Sequence, residues 1–178
     1  MPFPKRYADT VARLRVPSGF LIVLVFAWFS YPTVESLWIG LPVALGGLLV
    51  RAWAAGCLAK NQQLATGGPY SYTRNPLYLG TLLVAAGLVI AARSLGLGLL
   101  FAAVFVFVYL PVIQLEEQHL RRLFPAYERY AADVPMLLPR FGAATQGGAF
   151  RLAQYWKNQE YQAALGLALG AAYLIWRV

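Results

Sequence analysis

Two polar clusters in this chain hold the residue types from which a binding site can be built. The first is the run Leu64-Ala-Thr-Gly-Gly-Pro-Tyr-Ser-Tyr-Thr-Arg-Asn-Pro-Leu-Tyr-Leu-Gly80, and the second is the pair Glu116-Glu117. Within the first, Gly67 and Gly68 permit unusual backbone angles and Pro69 fixes the next φ, a combination that specifies a sharp turn. Exposed N–H groups in such a turn can receive a carboxylate or a ribose oxygen. Arg74 adds a planar cationic fork suited to a carboxylate, and Asn75 adds a donor and an acceptor. Successive helical residues point about 100° apart, so Glu116 and Glu117 cannot share one face. Glu116 falls on a stripe with Val112, Leu120 and Leu123, which places it inward as the carboxylate of a pocket. Glu117 falls with Arg121, an i,i+4 ion pair expected on the wet side in a supporting role. A wall of Glu and Tyr beside an Arg and a tight turn suits a ligand that is zwitterionic and positively charged.

Other polar residues carry weaker signals. Arg51 stands about two turns inside an apolar run, where an ionisable side chain is costly and is either paired, snorkelling or engaged with a substrate headgroup. His119 reads as a surface residue. One Cys, Cys57, and one His exclude an intramolecular disulfide and a Cys/His zinc site within a single chain. No metal is expected.

The elements that must position these groups are apolar. Of 178 residues, 60% are hydrophobic and only 12% charged, against about 25% charged in an ordinary soluble domain. Five apolar runs stand out: Pro17–Tyr31, Leu37–Leu58, Leu77–Ala92, Leu95–Leu115 and Tyr161–Trp176. They predict an all-α, polytopic membrane protein of about five spans, forming one domain over residues 1–178. The first run follows Lys5, Arg6, Arg13 and Arg15 as in a secretory signal, but ends too bulkily for a cleavage site and reads as a retained anchor. The third and fourth runs form a hairpin broken at Arg93-Ser94, which returns the chain to the surface it left and brings the two clusters together.

With the N-terminus inside, the inner segments hold Lys5, Arg6, Arg13, Arg15, Lys60, Arg74, Arg121, Arg122, Arg129, Arg140, Arg151 and Lys157, and the outer ones only Arg93 and Arg177. The positive-inside rule then predicts both clusters on the cytoplasmic face and the C-terminus outside. A net charge of +8 follows from that topology and from anionic headgroups, and gives no reason to expect nucleic acid. Glu116–Leu123 is expected to continue the fourth span, Pro125 to open a following helix containing Tyr127 and Tyr130, and Phe141–Gly148 to be a connector. Arg151–Asn158 reads as an interfacial segment. Gly166 and Gly170 form a small-xxx-small pair that would let another helix approach closely, either one of this chain or one of a partner subunit in a homodimer.

The run 64–80, the hairpin, Glu116-Glu117 and Phe124-Pro-Ala-Tyr…Tyr130…Val134-Pro135 together resemble the isoprenylcysteine carboxyl methyltransferase family and the phospholipid methyltransferases, over roughly residues 50–140. The spans at 17–31 and 161–176 lie outside that core. The resemblance implies S-adenosylmethionine bound at the cytoplasmic face of a bacterial inner membrane, and methyl transfer to a lipophilic or amphiphilic acceptor entering from the bilayer. It places the cofactor against Gln62, Gln63, Leu64, Ala65, Tyr70, Asn75, Pro76, Leu77 and Tyr78, with Glu116, supported by Glu117, opposite. Arg74, Glu116 and Tyr70 are expected to serve the transfer, with Glu116, Tyr70 or a water taking the proton of an amine acceptor, and Arg51 to meet the substrate. The family often has Arg-His-Pro where this chain has Arg74-Asn75-Pro76, and its protein-methylating branch carries an Arg before its glutamates where this chain has Pro111-Val-Ile-Gln-Leu115. A sterol-reductase-type enzyme using NADPH, or a non-catalytic membrane subunit, would share the architecture.

Overall fold

The computed structural model describes residues 3–140 and 148–178, and all regular structure there is helical. Most of the expected connector Phe141–Gly148 lies outside the described residues. The helices are α1 (Lys5–Trp28), α2 (Val34–Cys57), α3 (Pro76–Ala92), α4 (Leu95–Leu123), α5 (Tyr127–Asp133), α6 (Leu152–Lys157) and α7 (Tyr161–Arg177). All five apolar runs are helical. By length and composition α2 and α4 can each cross a membrane, while Gly19–Trp28 and α3 are shorter apolar helices.

Local chemistry sets the helix ends. The Thr33 hydroxyl accepts from the Ser36 N–H and the Ser36 hydroxyl from the Thr33 N–H, a capping box that starts α2. Pro76 opens α3, where its missing N–H costs nothing. At the other end Arg93 adopts the left-handed conformation (φ 51°) and Ser94 caps α4, so the hairpin break falls where the sequence predicts it. The orphan carbonyls ending α3 are taken by neighbours: the Tyr31 N–H donates to Ala92 O at 2.8 Å and the Ser36 hydroxyl to Ala91 O at 2.7 Å. A small apolar core of Phe26, Ala91, Ala92, Leu97 and Leu174 fills this end of the bundle.

The tightest contact is between α2 and α3, and its cause is glycine. A Cβ on Gly40 would lie 2.4 Å from Gly87 O, and one on Gly47 would lie 2.7 Å from Gly80 O. The two backbones therefore touch, as small residues allow when helices pack without a hydrophobic drive between them. The pair expected to serve an interface, Gly166 and Gly170, is looser. Gly170 sits over Leu88, and a Cβ on Gly166 would meet nothing within 4 Å.

α4 runs unbroken from Leu95 to Leu123, as expected for a span that continues past Glu116. It contains a π-helical stretch, Phe105–Tyr109, in which the Leu110 N–H donates to Phe105 O, five residues back. Pro111 explains the disturbance: it has no N–H for the carbonyl of Phe107, and its ring crowds that carbonyl. The Tyr7 hydroxyl of α1 donates to Phe107 O at 2.7 Å and satisfies the oxygen that Pro111 leaves unpaired. Two boundaries differ from expectation. α1 begins at Lys5 rather than near residue 17, and α5 begins at Tyr127, two residues after Pro125.

Candidate functional site

The 64–80 run and the lower half of α4 meet at one end of the bundle, as the hairpin requires. Gly68 has φ +59°, where a side chain would be strained and would press on Cys57 Sγ at 3.1 Å. Pro69 then starts a single 3-10 turn, Gly68–Ser71. The expected turn is present but closed upon itself. The Tyr70 N–H is spent on Gly67 O, those of Tyr72 and Thr73 on Pro69 O, and the Ser71 hydroxyl on Gly68 O. These groups are not the open anion cradle that the Gly-Gly-Pro spacing suggested.

The two glutamates divide the work differently from the helical-wheel reading. Glu117 is buried and holds Arg74 in two-point geometry, Nε to Oε1 at 2.9 Å and Nη2 to Oε2 at 3.3 Å. Asn75 Nδ2 donates to the same Oε1 at 3.2 Å and to Met136 O at 3.0 Å. Arg74 Nη1 donates to Ala131 O at 2.7 Å. The expected Glu117–Arg121 pair is absent: Arg121 bonds Glu128 at 3.0 Å and lies over the Tyr127 ring. The reason is tertiary. Residues 127–136 fold back over α4 and turn the side that a wheel assigns to water into an interior. The fork of Arg74 thus spends three of its five N–H groups on protein acceptors.

The same segment straps the loop in place. The Tyr130 hydroxyl donates to Tyr70 O at 2.7 Å, the Arg74 N–H to Pro135 O at 2.9 Å, and the Arg140 N–H to Tyr72 O at 3.0 Å. Burial pushes the Tyr127 phenol well above the usual tyrosine range, reinforced by Glu117. Tyr130 moves the same way, from burial and then from Tyr127.

Between these elements lies a cavity of about 850 Å³, within the roughly 300–1,000 Å³ of small-molecule sites. Of the residues expected to form a site, Arg51, Gln63, Leu64, Ala65, Tyr70, Arg74, Asn75, Pro76, Leu77, Tyr78 and Glu116 line it; Gln62 and Glu117 do not. Glu116 accepts from the Tyr78 hydroxyl at 2.8 Å, so its inward stripe does face the cavity. His119, read as a surface residue, also lines it, one turn beyond Glu116.

The Tyr70 hydroxyl has no hydrogen-bond partner although the residue is only 6% exposed. Burial is the main cause that pushes its phenol far above the ordinary range, with Tyr130 next. It is therefore an unpartnered hydroxyl on a residue of the cavity wall.

Arg51 is bound by a residue the sequence reading missed. Glu160, just before α7, takes both Nε and Nη2 of Arg51, the latter at 3.0 Å. The signal was available: a lone carboxylate opens the last apolar run, and a half-buried arginine among apolar helices needs one. Asn158 and Glu160 both line the cavity.

An all-helical bundle with a cavity at one end, walled by a Tyr/Arg/Asn loop and a glutamate-bearing helix, defines the class. The chain belongs to the phospholipid methyltransferase family, which it matches over residues 15–127. Among curated relatives, the cobalt-zinc-cadmium resistance protein CzcN of Cupriavidus metallidurans is 35% identical over 127 residues, covering 66% of this chain and 59% of that protein. The nickel-cobalt-cadmium resistance protein NccN of Alcaligenes xylosoxydans xylosoxydans is 33% identical over 115 residues, covering 64% of this chain and 53% of that one. The chain thus spans between half and three-fifths of the length of these relatives. No solved structure matches it.

Proposed function

We propose that this chain is an integral membrane methyltransferase that uses S-adenosylmethionine and passes its methyl group to a lipophilic or amphiphilic acceptor. The observation that carries the reading is the cavity itself, where Tyr70, the 63–65 and 75–78 segments and Glu116 converge and the buried phenols of Tyr70 and Tyr127 are left unpartnered. The residues fit the cofactor's chemistry. Glu116 and the rings of Tyr78 and Tyr109 suit a sulfonium cation, and the Tyr70 hydroxyl suits a carboxylate or ribose oxygen. In this reading the helices holding the five apolar runs cross the bilayer with the cavity at the cytoplasmic face, as the distribution of Lys and Arg favours.

When bound, S-adenosylmethionine supplies an already electrophilic methyl group, so the protein's contribution is alignment and the exclusion of water. Tyr78 holds Glu116 in one rotamer. The Arg74–Glu117–Asn75 network locks the loop to α4, which makes Arg74 a positioning residue. Leu64, Leu77, Val112 and Leu120 provide apolar wall. Where the acceptor arrives protonated, Glu116 is the base. Tyr70, its phenol pushed up chiefly by burial, is suited to donate a hydrogen bond there. Metal resistance is the property in the relatives' names; no three His, Cys, Asp or Glu cluster among the described residues.

Calorimetry of S-adenosylhomocysteine binding to the purified protein tests this. Tyr70→Phe should weaken binding about 3–10-fold, the worth of one neutral hydrogen bond of about 0.5–1.5 kcal/mol. The same variant should lose no thermal stability, because the hydroxyl it removes has no partner in the folded protein. Glu116→Ala should cost about 10–100-fold, as expected for a charge-assisted contact of about 1.5–3 kcal/mol. No binding by the wild type, or full affinity in both variants, would refute the site.

A further inference from the structure

The cavity side formed by α2, α3 and the approach to α7 is built around one ion pair. Glu160 is 5% exposed and grips Arg51 with both carboxylate oxygens. Arg51 Nη1 donates to the Thr81 hydroxyl and to Leu77 O. Of the five N–H groups of a guanidinium, four are thereby committed to the protein's own acceptors. Asn158 fixes the segment that carries Glu160, donating to Ala55 O at 2.8 Å and Leu58 O at 2.9 Å where α2 ends.

These facts constrain what this side of the cavity accepts. Two-point capture of a carboxylate needs a pair of parallel N–H groups on one guanidinium, and Arg51 has no such pair left. The ion pair is neutral as a unit, so a ligand carboxylate placed against it would meet Glu160 with no spare positive charge. Arg74 offers no substitute, because Glu117 holds its fork. Lys60 is exposed on the loop, where an ion pair is worth little. An uncharged or cationic headgroup meets none of this repulsion.

We propose that Glu160 is a specificity-determining residue of the acceptor site, acting through Arg51 to reject anionic acceptors in favour of uncharged or cationic ones. Glu160 lies beyond the family match at 15–127. The inference rests on the methyl-transfer reading, together with the expectation that Arg51 meets the substrate.

The test compares an anionic and an uncharged probe of the same acyl chain, N-dodecanoylglycine and its methyl amide, binding to purified protein saturated with S-adenosylhomocysteine. The wild type should prefer the amide at least tenfold. Glu160→Gln removes the negative charge and leaves one acceptor oxygen in place of two, which frees an N–H group of Arg51 and its positive charge, and should move the carboxylate-to-amide affinity ratio at least tenfold toward the carboxylate. Adding Arg51→Gln to that variant should remove the gain, a response that a merely structural role for Glu160 would not produce. Glu160→Asp keeps the charge but is too short to hold both N–H groups, and should move the ratio about threefold in the same direction. It serves as the second variant should Glu160→Gln not fold.

A wild-type preference for the carboxylate, or a ratio moved less than twofold in whichever of the two variants folds, overturns the proposal. S-adenosylhomocysteine isotherms on the same samples separate the two readings. If the wild type fails to bind the nucleoside, the methyl-transfer reading falls. If it binds normally while the ratio stays fixed, only the role of Glu160 falls.

Discussion

Gly87→Ala should unfold or severely destabilise the bundle, although alanine is the better helix former by about 1 kcal/mol. The added Cβ would lie 2.3 Å from Ala44 N and 2.5 Å from Gly40 O, both backbone atoms of α2. No rotamer can relieve a clash with a main chain, so α2 and α3 must separate along their shared seam. Overpacking by one methylene already costs about 1–3 kcal/mol where side chains can adjust, and here they cannot. The control is on α2 itself but off the seam: a Cβ on Gly46 would meet nothing within 4 Å. Gly46→Ala should leave the thermal midpoint of the detergent-solubilised protein unchanged or slightly raised, while Gly87→Ala lowers it sharply or gives no monodisperse protein. Equal midpoints for the two variants would mean that the helices are not in backbone contact.

Glu117→Ala should cost about 3–5 kcal/mol, the usual penalty for stranding one member of a buried ion pair. The side chains of Arg74 and Glu117 are 13% and 11% exposed, so solvent cannot replace the lost partner. The effect should reach the ligand as well. Asn75 loses an acceptor, and the loop loses its direct tie to α4, so affinity for S-adenosylhomocysteine should fall although Glu117 does not line the cavity. The double change Arg74→Met with Glu117→Met removes both charges and should recover much of the stability, measured as the midpoint of thermal unfolding, without recovering the affinity. A double variant no more stable than Glu117→Ala would show that the network contributes more than charge pairing.

Much of the framework was legible from periodicity and punctuation. Arg93-Ser94 supplied the left-handed stop and the cap of the hairpin. The length of the two apolar runs around that break guaranteed that the 64–80 loop and the glutamates share one end. Gly68, Pro69 and Pro76 marked the turn and the helix start. What could not be read was any property created by a third element. Glu117 looked wet because a wheel projects one helix at a time, and residues 127–136 cover it only after folding back. Arg51 looked available because its partner stands 109 positions later. The α2–α3 seam was masked because Gly40, Gly47, Gly80 and Gly87 are unremarkable in an Ala/Gly-rich chain until two such faces are paired.

The π-helical stretch at Phe105–Tyr109 sets the angular phase of α4. One wide turn accommodates an additional residue, which rotates everything downstream by about 100° relative to an uninterrupted helix. The upper half of α4 keeps Leu97 in the core at one end, while the lower half directs Glu116 to the cavity and Glu117 to Arg74. Because Tyr7 of α1 secures the carbonyl at this joint, the first helix acts as a clamp on the azimuth of both carboxylates. The aim of the acidic pair is thus set by a wide turn about two to three turns upstream of it, where Pro111 frees a carbonyl and a tyrosine near the beginning of the chain takes it up.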